Sequence, residues 1–337
     1  MRRLPTVSDV AAEAGVSRQT VSNVLNAPSV VRPATRERVE EVIGRLGYRP
    51  HAGARRLRTR TVATVGVRLD PGSDGMGGAL LDRFLHALVG RADEAGLRVL
   101  LYTAADEPAE LATFARLLDG ADVDAVVLTS THHGDARPSW LAGHGVRFAT
   151  FGRPWGDGIG DPDHRWVDVD GRAGLRLAVQ HVRAAGADRV AFLGWPAGSG
   201  TGDDRRAGWR DVMREAGWRD TELDLLDLAV EEAGADLSPA VAAVRGLPER
   251  PDALVCASDS LALAARIALG DEVPVVGFDD TAVARALGLP SVAQPLDGVA
   301  EGVLDLLRPV PAGPLHRLLA PELAVRAPSA GSPSVEG

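Results

Sequence analysis

The segment TVSDVAAEAGVSRQTVSNVLN (residues 6–26) constrains this chain more than any other, because its spacing suits one arrangement of two short helices. Thr6 and Asp9 stand at N-cap and N3 spacing, so the cap hydroxyl and the carboxylate can serve the orphan amides and positive end of a starting helix. Val7, Val10, Ala11 and Ala14 recur at helical spacing and give that helix one small apolar face. Gly15 permits a tight turn, Ser17 caps a second helix, and Val21, Val24 and Leu25 form its inward face. The pattern predicts a helix-turn-helix. Its second helix turns Arg18, Gln19, Ser22 and Asn23 outward, side chains able to make paired hydrogen bonds with purine edges in a major groove. An ordinary helical hairpin with a polar face is the weaker reading. Arg, Gln and Asn gather at the start of the second helix, where such motifs meet bases.

A third helix is predicted over 33–47, with Pro33 in its first turn and Val39, Val42, Ile43 and Leu46 as a stripe covering the first two. Then comes YRPHAGARRLRTRT, where Pro50 breaks any continuation, and Ala54 and Leu57 lie one helical turn apart among Arg55, Arg56, Arg58 and Arg60. Such a linker can become a short helix beside phosphates, with a small apolar edge as a wedge. Charge follows the same division. Residues 1–60 hold 12 Arg against 5 acids, net +7, whereas the remainder holds 25 Arg against 41 acids, net −16. A basic head attracts phosphate, and an acidic body discourages non-specific wrapping.

VSDVAAEAGVSRQTVSNVLN, followed by VVRPATRERVEEVIGRLGYRPHAGARRL and TVATVGVRLD, resembles the start of a LacI/GalR-family transcriptional regulator over about sixty-five residues without gaps. The resemblance implies a DNA-reading head, a hinge helix that enters the minor groove, and a two-lobed domain similar to periplasmic sugar-binding proteins. It makes Arg18, Gln19 and Asn23 base readers and Leu57 the leucine wedged into the operator centre. The rest of the implied DNA-contacting set is Thr6, Ser17, Thr20, Ser22, Asn26, Arg32, Tyr48, Ala54 and Arg55. His51 departs from the family's usual Asn at the hinge start, and Gly53 costs the hinge helix about 1 kcal/mol of propensity relative to Ala. A hinge so weakened is expected to order only on DNA.

The body alternates strand and helix. Apolar runs at 62–68, 98–103, 124–129 and 147–151 are separated by helical stretches such as 79–95 and 108–118. A second series of runs follows at 166–170, 189–194, 223–229, 253–258 and 273–278, with helices at 171–185, 203–216, 236–245 and 258–269. The fold class is therefore α/β behind an all-α helix-turn-helix head: two lobes of parallel sheet flanked by helices. The expected domains are a head over 1–50, a hinge over 51–61 and an effector-binding and dimerisation domain over 62–327. Its first lobe would take 62–165 plus 295–327, its second 166–294, and the Ser-, Pro- and Gly-rich tail 328–337 would be disordered. No apolar run is long enough for a membrane span and no signal peptide is evident, so the expected compartment is the cytoplasm. The single Cys256, in ALVCAS, reads as core.

Enzymatic signatures are missing. DPGSDGMGG does not follow G-x-G-x-x-G, and WPAGSGTG misses the G-x-S-x-G spacing. Asp168 and Asp170 read as strand-end and helix-cap residues, and the adjacent His132 and His133 lack a third ligand at a recognisable spacing. No catalysis, cofactor or metal is expected. Ligand binding fares better, because polar groups at strand ends can converge in a cleft. By resemblance, Arg205 in R-x-x-G-W and Asp279 in GFDD contact the effector, and Ser258-Asp259 stands where relatives carry Asn-Asp. Asp70 and Thr129 end strands of the first lobe. Trp155, Trp166 and Trp195 lie at strand ends, placed either to stack on a sugar ring or to pack between lobes.

These readings converge on a homodimeric regulator of double-stranded DNA, a repressor of carbohydrate-use genes released from a pseudo-palindromic operator by a sugar. A purine- or nucleoside-responsive regulator and a cytoplasmic solute-binding protein are the alternatives.

Overall fold

Thr6 opens helix α1 (Val7–Ala14) with a reciprocal cap: the Asp9 amide donates to its hydroxyl oxygen at 3.3 Å, while its own amide donates to the Asp9 carboxylate at 2.7 Å. The computed structural model describes residues 5–26, 30–46, 62–69, 78–161, 163–231 and 236–326. Contacts divide the chain into two units, Met1–Thr61 and Val62–Gly337. In the first, Gly15 ends α1 at φ 64°, a left-handed conformation that glycine adopts without strain. Helices α2 (Arg18–Asn26) and α3 (Pro33–Leu46) follow. Val10, Ala11, Ala14, Val21, Val24, Val39 and Val42 meet in one core, and Leu25, Ile43 and Leu46 cover its edge. The alanines let α1 approach its neighbours closely. A larger residue at either position would push the helices apart.

The second unit begins with β1 (Thr64–Arg68), α4 (Ala79–Glu94), β2 (Arg98–Tyr102), α5 (Glu107–Asp119), β3 (Ala125–Leu128), α6 (Arg137–Gly143), β4 (Arg147–Phe151) and β5 (Trp166–Val169). Next come α7 (Gly171–Ala184), β6 (Val190–Gly194), α8 (Thr201–Glu215), α9 (Asp220–Leu223), β7 (Asp227–Ala229) and α10 (Ser238–Arg245). Then follow β8 (Ala253–Cys256), α11 (Asp259–Leu269), β9 (Val275–Phe278), α12 (Ala282–Ala286) and β10 (Ser291–Ala293). The unit closes with α13 (Leu296–Leu306), β11 (His316–Leu319) and β12 (Glu322–Ala324). Two six-stranded sheets result, ordered β11-β5-β4-β3-β1-β2 and β12-β10-β9-β8-β6-β7. Every pairing is parallel except β10 with β12. The strands are near-continuous apolar runs, as parallel strands covered on both faces require. Phe84, Leu88, Val299 and Val303 cover one face of the first sheet, and Phe114 and Leu141 belong to a separate cluster with Val126 and Leu128. Trp209 lies fully buried in the second lobe, its indole N–H donating to the Val190 carbonyl at 3.0 Å.

Three expectations change. The second lobe does not begin at 166, because β5 pairs with β4 and β11 in the first sheet and the chain crosses over only after it. The C-terminal segment does not all return to the first lobe: β11 does, but β12 joins β10 in the second sheet. The strand expected over 223–229 is only Asp227–Ala229, preceded by α9. Leu223 and Leu226 are buried three residues apart while Leu225 is 63% exposed, a helical rather than an alternating pattern. Cys256 is buried core, and burial pushes its thiol pKa up. The hinge 51–61 and the tail 328–337 lie outside the described residues.

Candidate functional site

The head presents one polar face. Arg18 and Gln19 are exposed at the start of α2, with Ser22 and Asn23 half-buried a turn further on. Gln19 Nε2 donates to Asn23 Oδ1 at 3.0 Å, so these two exposed-face amides hold each other one helical turn apart. Ser17 Oγ accepts from the Thr20 amide at 3.0 Å and pairs with Thr20 Oγ1 at 2.9 Å. Thr6 and Ser17 are thus capping groups first, and the Thr20 hydroxyl is paired with that of Ser17. Arg32 is exposed and its carbonyl receives the amides of Thr35 and Arg36 at the start of α3. The Asn26 side chain, Tyr48, Ala54, Arg55, Leu57 and Asp70 lie outside the described residues.

In the second unit the carboxyl ends of β6, β8 and β9 open onto a cavity of about 240 Å³. Leu80 and Leu81 from the first turn of α4 line it on the first-lobe side. Trp195, Thr201, Arg205, Ser258, Asp259, Ser260, Asp279 and Thr281 line it from the second. Arg205 is buried on α8, and its guanidinium donates to the Ala257 carbonyl and sits 3.7 Å from the Phe278 ring centroid and 5.6 Å from that of Trp195. Asp279 Oδ1 lies 3.7 Å from Arg205 Nη2 and accepts from Gln294 Nε2 at 2.7 Å. Burial pushes the Asp279 carboxyl pKa up, and Arg205, Gln294 and Arg83 pull it back. A cation, a carboxylate and an aromatic plane around one small space suit a ligand with many hydroxyls and an apolar face.

Asp259 borders the same space but is committed elsewhere. Its oxygens accept from Ser291 Oγ and the Thr281 amide, both at 2.6 Å, tying α11 to the loop after β9. Burial pushes its pKa up to about 6 even so, against the pull of those two bonds. Ser258 caps α11 through the Leu261 amide at 3.3 Å. Thr129 is buried outside the cavity lining, its carbonyl accepting from Arg137 Nη2 at 3.1 Å. Trp155 is also absent from the lining. It packs against Gly200 at the start of α8, where an added Cβ would come within 2.5 Å of the indole, and Arg153 lies 4.9 Å over its ring. Trp166 stacks on His316 in the neighbouring strand at 5.2 Å. A strand-end position alone gave no direction for these side chains. Leu80, Leu81, Thr201, Ser260 and Thr281 were not foreseen, although Thr201 and Ser260 adjoin flagged segments and both leucines follow the glycine-rich DPGSDGMGG.

Asp170 caps α7 through the Ala173 amide at 2.8 Å, and Asp168 binds Arg153 at 2.6 Å, as strand-end and cap residues do. Glu107, His132 and Asp135 bring ligand atoms within 4.8 Å of one another. Asp135, however, gives both oxygens to the buried Arg137, at 2.8 and 2.7 Å, which leaves a poor third ligand.

A helix-turn-helix unit ahead of a two-lobed α/β unit, with a partly open cavity lined by Arg205, Asp279 and Trp195, is the layout of a DNA-binding transcriptional regulator. The pattern described as bacterial regulatory proteins, lacI family, matches residues 6–51, and that of a periplasmic binding protein-like domain matches residues 179–327. The chain is 34% identical over 319 residues to the HTH-type transcriptional regulator CelR of Thermobifida fusca, covering 91% of this chain and 92% of that protein. It is 31% identical over 281 residues to the HTH-type transcriptional regulator RafR of Escherichia coli, covering 80% of each. The chain belongs to the LacI family of transcriptional regulators, and it is not an enzyme. Among solved structures, the CelR–cellobiose complex superposes with a TM-score of 0.68 at 31% identity, covering 96% of this chain and 99% of that one. The lac repressor dimer bound to operator and the anti-inducer ONPF shares the fold, with a TM-score of 0.76 at 24% identity and coverage of 97% and 99%. Among the described residues no helix is long and apolar enough to cross a membrane.

Proposed function

We propose that the chain is a cytoplasmic repressor of carbohydrate-use genes. It binds a pseudo-palindromic operator as a homodimer and is released by a sugar held in the cavity of the second unit. The observation that carries this reading is the convergence of Arg205, Asp279 and Trp195 on one small, partly open space. Arg205 supplies fixed donors, Asp279 a charged acceptor for hydroxyls, and Trp195 an apolar plane. CelR, a third identical, has been solved with cellobiose, which makes a β-linked glucose disaccharide the first probe. The cavity, about 240 Å³, lies below the roughly 300–1,000 Å³ of typical small-molecule sites, so a disaccharide requires the lobes to adjust around it. In the head, Arg18, Gln19 and Asn23 read bases from α2, with Thr6, Ser17, Thr20, Ser22, Asn26, Arg32 and Tyr48 placed around the duplex. Ala54, Arg55 and Leu57 act at the operator centre.

A sugar can change operator affinity only by binding one lobe arrangement better than another, typically with about 1–3 kcal/mol of coupling. The test titrates the full chain, bound to a palindromic operator, with cellobiose, its component glucose and a nucleoside. Release by cellobiose, with a thermal shift worth about 2.7 kcal/mol at 100 times its Kd, supports the reading. A protein stabilised and released by the nucleoside alone overturns it.

A further inference from the structure

The loop that carries Asp279 is held in an unusual shape. Asp279 and Asp280 follow one another at φ 104° and φ 49°, in a region that residues with a side chain rarely adopt, so neighbouring bonds must hold them there. Gln294 holds the Asp279 carboxylate, and Arg285 and Arg326 hold that of Asp280. These anchors, together with the Val292 carbonyl and the Ser291 hydroxyl that accept from the Asp279 and Asp280 amides, belong to the second lobe. Arg83 does not. It sits on α4, in the first lobe, one helical turn beyond Leu80, and its Nη1 donates to both main-chain carbonyls, Asp279 at 2.6 Å and Asp280 at 2.9 Å. A guanidinium presents its donors in a rigid fork, so the two acceptors must keep their spacing and direction for the contact to survive.

We propose that Arg83 is a positioning residue for the Asp279 carboxylate, linking the position of the first lobe to the shape of the effector loop in the second. The residue touches no ligand-facing atom; it acts through two peptide carbonyls. Movement of α4 relative to the second lobe withdraws those donors and frees the strained pair to relax, which turns the Asp279 carboxylate away from Arg205. A ligand that grips Asp279 pulls on α4 through the same two bonds. Among the described residues, Arg83 is the anchor of this loop that comes from the first lobe.

The proposal builds on the effector reading, and two measurements keep the two separable. The first is amide hydrogen exchange on the ligand-free full chain, comparing wild type with Arg83→Ala and Arg83→Lys. Peptides spanning 279–281 exchange about tenfold faster in Arg83→Ala, those of β6 keep the wild-type rate, and Arg83→Lys lies between. The second is the ratio of operator affinities without and with saturating cellobiose, which falls about fivefold in Arg83→Ala and is partly restored by Arg83→Lys. Wild-type exchange at 279–281 in Arg83→Ala overturns the proposal, and so does an unchanged operator ratio. If the wild-type protein ignores cellobiose, the effector reading fails instead, and exchange alone decides the role of Arg83.

Discussion

Replacing Asp279 with Asn tests the cavity at its most charged acceptor while keeping side-chain shape. Its side chain is 12% exposed and its Oδ1 lies 3.7 Å from Arg205 Nη2. At that separation, with an effective dielectric of about 20, the pair attracts by roughly 4 kcal/mol. Much of this returns when a buried charge is removed, because burial already disfavours the ionised form. The amide of Asn can still pair with Gln294, so the fold should lose on the order of 1–2 kcal/mol and remain assembled at 25 °C. Binding should suffer more. A hydrogen bond from a sugar hydroxyl to a charged acceptor contributes about 1.5–3 kcal/mol. At about 1.4 kcal/mol per tenfold, its loss raises the sugar concentration for half-release of operator by roughly 10- to 150-fold. Fluorescence anisotropy of a labelled operator reads that midpoint, and calorimetry of cellobiose binding checks it directly. A wild-type midpoint in Asp279→Asn would refute the placement of the effector at this carboxylate.

Three further outcomes are expected. Arg18→Ala should cost about 1–3 kcal/mol on the operator and less on a scrambled duplex, narrowing the ratio that a competition gel shift measures; a wild-type ratio contradicts base reading from α2. Asp259 titrates near 6 in the folded protein, above its ordinary 3.8, so its contribution to stability is full below pH 3.8 and lost as pH rises through 6. Urea melts at pH 7 and pH 5 should show the wild type gaining about 1 kcal/mol more than Asp259→Asn at the lower pH, and equal gains would discount the shift. A Cβ at Gly208 would overlap the Arg172 carbonyl where α8 crosses α7. Gly208→Ala should therefore destabilise by about 1–3 kcal/mol despite its better helix propensity, and a raised melting temperature would show that the helices have room.

Strand positions were legible because buried parallel strands are apolar runs bounded by charge or glycine, and β4 falls on the residues expected, Arg147–Phe151. Partnership between strands was not. WVDVD reads equally well as the last strand of one sheet or the first of the next, and only its pairing with β4 and β11 decides. The same limit applies to the cavity. Arg205, Ser258, Asp259, Asp279 and Trp195 line it as strand-end and helix-start residues, yet the carboxylate of Asp259 turns to Ser291 and Thr281. Thr129 and Trp155 had the same kind of address and point elsewhere, because sequence fixes which end of a strand a residue occupies more firmly than where its side chain goes. Leu80 and Leu81 show the converse: apolar residues on a helix read as core unless the facing lobe is known.

The ends of the two sheets set an order on synthesis. β11 and β12 are separated by two residues, yet one edges the first sheet and the other edges the second. As the chain leaves the ribosome, neither lobe can complete its sheet until the last dozen described residues have emerged. The first lobe, begun at residue 64, must wait with an open edge beside β5 while the whole second lobe is made. An open edge is a template for wrong pairings; β5 presents one from its own emergence until β11 arrives, and β10 adds a second over the shorter stretch before β12. A ribosome stalled before residue 316 therefore carries two unfinished lobes rather than one finished domain and one in progress.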